Sequence, residues 1–417
     1  MSSIRSIDIL TRRSWMKIVD VKATPVYVEM EAPLLWSMGV EPGTTRTVIQ
    51  LYTDDGIVGI GETYGGASTA RRIEESRPFF IGMDPFEIQT VIQRFEVFRM
   101  TSEQMARAAE MKYVGAGIEM AIWDIIGKAL NKPLYKLWGG AGDTFVPFVA
   151  YVFYRYEKNG IGGESTAQDI ARRYGELVEK YGFDGVKLKG GVFPPDEELA
   201  AVKALRETFG DQIKFLRFDP NQAWTVETSV RSINKMEQYD LEYVEDPTWD
   251  IQGMALVRED VRVPLATNQA VISFPQIAPA VRMRAIDVLM VDLYFWGGVS
   301  QAKKVAAICE TFNIGLAMHS DRELGIGTAA GLHFWASTPT ISHYYDSHYH
   351  DQVGDVITEP FVFRDGGLRV PEGPGLGVEL DEERLKYHHR LYEERGDDVE
   401  FFDPVRRPGW TPHLPLW

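Results

Sequence analysis

The sequence predicts an α/β protein, in which a parallel (β/α) barrel carries a smaller α+β capping domain. Between residues 146 and 362, short apolar segments alternate with amphipathic ones, which is typical of strands and crossover helices in a parallel barrel. Before residue 146, strand-like segments come first and helix-like segments follow, which is typical of an α+β domain. No Gly-x-Gly-x-x-Gly motif opens a helix after a strand, which disfavours an open doubly wound sheet.

Composition narrows the class of protein further. The chain has 417 residues, 45% of them hydrophobic, and a formal net charge of −16 without any basic run. This charge disfavours nucleic acid and anionic membranes as partners. The single cysteine, Cys309, cannot form an internal disulfide, and no apolar run reaches membrane-spanning length. The start of the chain also lacks the apolar core of a signal peptide, so we expect a cytoplasmic protein.

The first domain is expected to span residues 16–145, after a loose extension at residues 1–15. Strand-like segments run from Ile18 to about Glu62, with a hairpin signal at Asp55-Gly56, and helix-like segments run from about Thr69 to Leu130. Glu31–Thr45 is interpreted as an apolar loop that folds over another part of the molecule.

The barrel domain is expected to span residues 146–368. Eight candidate strands can be identified: Phe148–Phe153, Gly185–Lys189, Ile213–Asp219, Leu241–Glu245, Pro264–Asn268, Asp287–Asp292, Gly315–His319 and Ile341–His348. The tail, residues 369–417, contains a short charged helix at Asp381–Glu394. It is too small to fold alone, so we expect it to pack back on the capping domain.

Two lysines lie on the same face of one candidate strand. Lys187 and Lys189 are two residues apart, and side chains alternate along a strand. Repulsion between two close ammonium groups lowers their pKa values, which would prepare a lysine to act as a base. The alternative is an edge strand with a solvated lysine face.

The next three strands each end in an oxygen donor. Asp219, Glu245 and Asn268 close consecutive candidate strands, and the carboxyl ends of barrel strands meet at one face. Three oxygen donors without thiolate or imidazole suit a hard cation, Mg²⁺ above all. Each residue taken singly could instead be a helix N-cap or a turn residue.

Asp292 and His319 end the two strands that follow. The carboxylate can hydrogen-bond the imidazole, fix its tautomer and raise its basicity. A core histidine bonded to a backbone carbonyl is the alternative. With Lys189 before the metal strands and His319 after them, the pattern suits removal of a proton next to a metal-bound carboxylate.

On these residues the sequence resembles the enolase superfamily, in particular the glucarate-dehydratase group of its mandelate racemase subgroup. The resemblance covers nearly the whole chain after residue 16, and asparagine as the third ligand is a mark of that group. The matching segments are Gly59-Ile60-Gly61-Glu62, Lys187-Leu188-Lys189-Gly190-Gly191, Asp219-Pro220-Asn221, Glu245-Asp246-Pro247, Thr267-Asn268, Asp292, His319-Ser320, Pro374-Gly375-Leu376-Gly377 and Pro408-Gly409-Trp410.

The resemblance implies a modified enolase-type barrel closed by a cap made from both ends of the chain. It implies Mg²⁺ held by Asp219, Glu245 and Asn268, and acid–base chemistry by Lys189 and His319. Lys187 would be the electrostatic partner of Lys189, and Asp292 would orient His319. The reaction implied is dehydration of an acid sugar through a metal-stabilised enediolate to a 2-keto-3-deoxy product.

Residues that would contact the substrate are only partly retained. Relatives have asparagine where this chain has Asp321, a substrate-binding histidine near Val40, and a threonine before Gly115 that has no match here. The resemblance implies substrate contacts at the following positions: Tyr151, Asn221, Asp321, His348 and Arg395. We therefore expect a small carboxylate sugar acid as the substrate, and these differences leave open whether it is glucarate or another acid sugar.

Two other functions remain open at this point. The same lysine and histidine could racemise or epimerise a 2-hydroxy acid, and a non-catalytic metal-binding protein could use the same fold. Barrels of this size often associate, so a homo-oligomer is possible.

Overall fold

The computed structural model describes residues 15–95, 109–140, 143–397, 403, 405–409 and 413–417. The strands are β1 (Ile18–Trp36), β2 (Gly39–Thr53), β3 (Val58–Tyr64), β4 (Phe145–Pro147), β5 (Ala150–Val152), β6 (Gly185–Lys189), β7 (Phe215–Asp219), β8 (Tyr243–Glu245), β9 (Leu265–Thr267), β10 (Val288–Val291), β11 (Gly315–Met318) and β12 (Gly367–Arg369).

The α-helices are α1 (Ala67–Glu75), α2 (Ile88–Phe95), α3 (Ala109–Leu130), α4 (Leu134–Leu137), α5 (Ala167–Tyr181), α6 (Pro195–Phe209), α7 (Val226–Met236), α8 (Asp250–Asp260), α9 (Phe274–Met283), α10 (Val299–Phe312), α11 (Gly325–Ala336) and α12 (Glu382–Arg395). In the part of the chain that the structure describes, no helix combines the length and apolar character needed to cross a membrane.

The cap is an antiparallel sheet in the order β1-β2-β3, covered on one face by α1–α3. Its strands and helices follow each other as predicted, but the interpretation of Glu31–Thr45 as a loop is wrong. These residues extend β1 and β2 into one long hairpin, with only Ser37 and Met38 between the strands. A register shift between Glu29 and Leu34 disturbs the alternation of side chains, which removes the strand signal from this stretch.

The barrel contains seven parallel strands in the order β5 to β11, which confirms the predicted α/β barrel. The eighth candidate, Ile341–His348, is not a regular strand. It closes the barrel through two isolated parallel bridges, Leu316 with Ile341 and Phe148 with Tyr345. Backbone hydrogen bonds from Ser342 N to Leu316 O (3.2 Å) and from Val149 N to Tyr345 O (2.9 Å) hold it there.

The end of the chain contacts both parts of the molecule. In the cap, His388 Nδ1 of α12 lies 2.9 Å from Tyr27 O of β1, and Gln50 Nε2 of β2 donates to Glu382 Oε1 (2.9 Å). In the barrel, Thr225 N at the start of α7 donates to Trp417 O (2.6 Å). The predicted helix Asp381–Glu394 is confirmed within a residue at each end, as Glu382–Arg395.

A buried ion network fixes the hairpin to the barrel. Arg155, after β5, forms paired hydrogen bonds with Glu164 (2.8 and 3.0 Å) and reaches Glu31 of β1 at 2.6 Å. Arg173 of α5 also donates to Glu31 (2.7 Å) and to Asp351 (2.9 Å). The bidentate pair with Glu164 fixes the Arg155 side chain, and Glu31 Oε1 accepts from both arginines, which ties the hairpin to this part of the barrel.

We expect the buried histidine of α11 to make stability depend on pH. His333 bridges Tyr135 N (3.3 Å) and Leu376 O (3.0 Å), and burial lowers its pKa to about 4. Between about pH 4 and 6.5 the unfolded chain binds the extra proton, so stability is present above this range and is lost as the pH falls through it. Over this range the free energy of unfolding falls by about 3 kcal/mol.

Urea unfolding of the wild type and of His333→Gln between pH 4.5 and 7.5 measures this contribution. Glutamine keeps one donor and one acceptor but takes up no proton, so the stability difference between the two proteins should shrink as the pH falls. A difference that stays constant over this range would contradict the assignment.

Candidate active site

Six neighbouring strands place polar side chains at the same end of the barrel. In the sheet order, β6 carries Lys187 and Lys189, β7 and β8 end in Asp219 and Glu245, and Asn268, Asp292 and His319 follow β9, β10 and β11 directly. Lys189 and Asp219 are register partners on adjacent strands. The structure therefore brings the predicted metal-binding and acid–base residues together.

Lys187 is enclosed by three carboxylates. Its Nζ lies 2.7 Å from Glu245 Oε2, 2.8 Å from Asp346 Oδ2 and 3.7 Å from Asp219 Oδ2, and 4.5 Å from the centroid of the Tyr151 ring. Burial alone would lower the pKa of Lys187, but these carboxylates outweigh it and raise the pKa well above its ordinary value. The expected lowering by lysine–lysine repulsion is thus wrong for Lys187.

Lys189 faces the opening of the barrel. Its Nζ donates to Asp219 Oδ2 (2.7 Å) and to Asn221 Oδ1 (2.6 Å). Strand β6 lies between β5 and β7 and its lysines are buried, so the alternative of a solvated edge strand does not apply. Asn221 also donates from Nδ2 to Ser37 Oγ (2.9 Å) at the hairpin tip.

Asp219, Glu245 and Asn268 form a buried set of oxygen donors. Lys189 and Lys187 outweigh the effect of burial on Asp219 and lower its pKa, whereas burial raises the pKa of Glu245 to about 7. The structure places Asn268 Oδ1 towards the carboxylates of Glu245 and Asp246, as an oxygen donor of this set requires; with the amide turned over, its Nδ2 would donate to Glu245 Oε1 (3.1 Å) and its Oδ1 would accept from His319 Nε2 (2.9 Å).

This donor set fits a hard divalent cation. The ammonium group of Lys187 already contacts the carboxylates of Asp219 and Glu245, which shows that this cluster attracts positive charge. Among the described residues, no group of three or more histidine, cysteine, aspartate or glutamate side chains could hold a metal ion. The set proposed from the sequence differs from such a group because its third member is an amide.

Asp292 orients His319. The His319 Nδ1 lies 3.0 Å from Asp292 Oδ2, while Asp292 Oδ1 accepts from the backbone N–H groups of Tyr294 (2.7 Å) and Phe295 (2.9 Å). Burial would lower the pKa of His319, but the hydrogen bond and charge of Asp292 raise it to about 9. The partner of this imidazole is a carboxylate, so it is not a core histidine bonded to a carbonyl.

Four of the five candidate substrate residues border this site. Tyr151 Oη donates to Asp219 Oδ2 (3.3 Å), and the rings of Tyr151 and His348 lie 4.6 Å apart. Asn221 binds Lys189, and His348 has electrostatic interactions with Asp321, Lys189 and His319. Burial lowers the pKa of His348 well below its ordinary value, so its ring is neutral.

Arg395 is placed elsewhere. It lies at the end of α12, exposed, with its guanidinium 4.4 Å from the centroid of the Tyr27 ring of β1. Its substrate role stays a prediction that this structure does not support. Val40, the other position compared with relatives, lies in β2, half-buried.

Sequence reasoning missed three acids that hold the site in place. Asp346 binds Lys187 and accepts from Ser320 N (3.1 Å). Asp246 accepts from Thr267 Oγ1 (2.5 Å) and from Asn268 N (2.8 Å), which fixes the third oxygen donor. The remaining acid is Glu198 of α6. The Glu-Asp-Pro segment could have drawn attention to Asp246. Nothing in the local sequence indicates the role of Asp346, because its partner Lys187 is 159 residues away.

Comparison with known proteins identifies the family. A barrel with lysine, histidine and oxygen donors at its strand ends and a separate α+β cap is the arrangement of the enolase-type barrel proteins. The model of the mandelate racemase / muconate lactonizing enzyme N-terminal domain matches residues 18–139, and that of the enolase C-terminal domain-like family matches residues 169–384. The chain belongs to the enolase superfamily, in its mandelate racemase subgroup.

Individual relatives agree with this assignment. A probable glucarate dehydratase of Streptomyces coelicolor is 37% identical over 96% of this chain and 99% of its own length. A crystal structure of an enolase from Mycobacterium smegmatis complexed with tartrate has a TM-score of 0.90 and 36% identity, covering 97% of this chain and 99% of that one. An enolase from Thermobispora bispora complexed with magnesium and formate has a TM-score of 0.87 and 36% identity, covering 96% and 100%.

More distant relatives catalyse other reactions. A hydrophobic dipeptide epimerase of Enterococcus faecalis is 29% identical over 87% of this chain and 99% of its own length. Membership therefore establishes the fold and an enzyme of the enolase superfamily, and leaves both the class of reaction and the particular substrate to be argued from the site.

We expect Glu198 to be required for the position of the loop after Lys189. Its carboxylate accepts from the backbone N–H groups of Gly191 (2.9 Å), Val192 (2.8 Å) and Phe193 (3.0 Å). Glu198→Ala leaves these buried donors without partners, so it should lower the free energy of unfolding by about 2–4 kcal/mol. Urea titration measures the loss, and Glu197→Ala, at the exposed neighbouring position, should stay within about 0.5 kcal/mol of wild type. Equal effects of the two substitutions would refute this role.

Proposed function

We propose that the protein is a Mg²⁺-dependent acid-sugar dehydratase. It would remove the proton α to the substrate carboxylate and eliminate the 3-hydroxyl as water, giving a 2-keto-3-deoxy acid sugar. The observation that carries the proposal is the order of groups along the sheet: Lys189 on β6, oxygen donors at the ends of β7–β9, and the Asp292–His319 pair after β10 and β11. This order puts one base on each side of the oxygen donors.

Asp219, Glu245 and Asn268 would hold the cation. When bound there, Mg²⁺ supplies Lewis-acid stabilisation of the negative charge that develops on the substrate carboxylate. These residues fit this role by their buried oxygen donors and by the attraction of the two carboxylates for the ammonium group of Lys187.

Lys189 is the proposed base and His319 the proposed acid. Lys189 Nζ has two fixed partners, Asp219 and Asn221, so its direction is defined, and it takes the α-proton when it is in its neutral form. The Asp292 carboxylate stabilises the imidazolium form of His319, which then donates its Nε2 proton to the departing 3-hydroxyl.

Relatives support dehydration without deciding it. The name of the Streptomyces coelicolor relative indicates a glucarate dehydratase, and the Thermobispora bispora structure contains magnesium. Epimerisation is the second candidate, because a lysine and a histidine on opposite sides of one carbon could exchange its proton from either face, and a dipeptide epimerase is among the relatives. A binding protein without turnover is disfavoured by the complete acid–base set.

Lys189 and His319 should have separable effects. We expect Lys189→Met to lose α-proton exchange in D₂O and product formation, each by about 10³-fold, since a positioned base contributes a factor of this size. His319→Gln should lose dehydration by a similar factor while Lys189 still exchanges the α-proton. Proton NMR of acid sugars incubated in D₂O with Mg²⁺ measures both, and Lys203→Met, an exposed lysine of α6, serves as the control.

The alternatives give different results in the same experiment. Deuterium exchange with inversion and no loss of water would indicate an epimerase. Absence of both exchange and product over a broad panel of acid sugars would indicate a protein without this activity. Exchange that survives Lys189→Met would refute the assignment of Lys189 as the base.

Metal binding can be tested without turnover. Isothermal titration with Mg²⁺ should show one site, and Asp219→Asn should weaken it by at least about tenfold because one of two charged ligands is lost. Asp211→Asn, at an exposed position between α6 and β7, should leave the affinity unchanged. Unchanged affinity in Asp219→Asn would exclude Asp219 as a ligand.

A further inference from the structure

The segment that follows His319 forms one wall of the site together with the cap hairpin. Asp321 and Arg322 lie next to the acid–base pair, and His348 has electrostatic interactions with Asp321, Arg322, Lys189 and His319. The charges of Asp321 and Arg322 therefore act in the space occupied by any part of a substrate that extends from Lys189 and His319 towards the cap.

The positive charge in this wall is already compensated. Arg322 Nε donates to Asp321 Oδ1 (2.9 Å), and Arg322 Nη2 lies 3.4 Å from Glu41 Oε1 of β2. One guanidinium thus faces two carboxylates. Arg46 is buried behind them, where it pairs with Glu62 (3.6 Å) and bonds the backbone oxygen of Asp321.

Asp321 is held ionised and in place. Arg322, Arg46 and His319 outweigh the effect of burial and keep the pKa of Asp321 far below its usual range. Its backbone N–H donates to Glu323 Oε1 (3.1 Å), and Thr44 Oγ1 of β2 donates to Arg322 O (3.3 Å). The segment therefore cannot turn Asp321 away from the site without breaking bonds to the cap.

One oxygen of Asp321 is left to a ligand. Oδ1 is bonded to Arg322, whereas Oδ2 accepts no hydrogen bond from the residues that the structure describes. A carboxylate oxygen with spare capacity binds a hydroxyl donor well and repels a second carboxylate.

We propose that the substrate is a monocarboxylate sugar acid, an aldonate, whose far end presents an uncharged hydroxyl group to Asp321. The inference rests on the proposed function, because it assumes that the reacting carboxylate of the substrate binds at Asp219, Glu245 and Asn268. An aldarate of the same configuration would bring a second carboxylate against Asp321 and Glu41, where the charge of Arg322 is already matched.

Matched pairs of acids test this inference. D-Gluconate and D-glucarate differ only at C6, and D-mannonate with D-mannarate and D-galactonate with D-galactarate provide further configurations. We expect kcat/KM, measured with Mg²⁺ as formation of the 2-keto-3-deoxy acid, to favour the aldonate of the accepted configuration by about tenfold or more, as repulsion between two neighbouring carboxylates in a partly buried site would give.

The residues responsible are tested by charge removal. Asp321→Asn should reduce the preference for aldonate over aldarate by about tenfold. Glu41→Gln removes the other charge without altering the segment after His319, and should shift the ratio in the same direction even if Asp321→Asn folds poorly. Asp211→Asn should leave the ratio unchanged.

The outcomes separate this inference from the proposed function. A preference for the aldarate, or a ratio unaffected by both Asp321→Asn and Glu41→Gln, overturns the inference and leaves the dehydratase intact. If no sugar acid of either class shows turnover or α-proton exchange, the proposed function fails and the inference falls with it.

Discussion

The structure depends on how negative charge is balanced inside the mouth of the barrel. Asp219, Glu245 and Asp346 come from three different barrel segments, and all three are buried within reach of a single ammonium group, that of Lys187. Three buried carboxylates without a counter-charge would cost several kcal/mol each. Lys187 therefore has a structural task, because it links β6 to β7, β8 and the closing segment, and Lys189 adds a second counter-charge to Asp219 (2.7 Å).

Because Lys187 binds Glu245 and Asp346, the outer lysine, Lys189, is available for chemistry. Lys189 has one carboxylate partner and one amide partner, both at the opening of the barrel. His319 is held by Asp292. Two backbone N–H groups fix the Asp292 carboxylate, and this carboxylate orients the imidazole. Each of the two proposed acid–base groups thus contacts a buried carboxylate that defines its position: Asp219 for Lys189 and Asp292 for His319.

The sequence was sufficient where local pattern and function coincide. Apolar strands that end in single polar residues predicted both the barrel and the positions of Asp219, Glu245 and His319, because a parallel barrel brings all its carboxyl ends to one face. The long hairpin was missed since a register shift hides the alternation of its side chains. The pKa of Lys187 was predicted in the wrong direction, because its partner Asp346 lies far along the chain and no local signal connects them.

The sequence was least informative about the residues that would contact the far end of a substrate. Asp321 was identified from its position after His319, but its pairing with Arg322 and Glu41 requires the cap and barrel to be seen together. Arg395 was selected by comparison with relatives, and the structure places it against Tyr27. Specificity is difficult to predict from sequence because it arises between segments that do not share a local pattern.

The contacts between the hairpin and the segment after His319 affect how the specificity of such enzymes can change in evolution. Thr44 and Arg46 bond the backbone of Asp321 and Arg322, so the cap sets the position of residues that the barrel encodes. If substitutions changed only the hairpin or only the segment after His319, the unchanged part would no longer fit the changed one. The hairpin and residues 320–323 should therefore change together. Chimeras between relatives should retain activity only when both segments are exchanged.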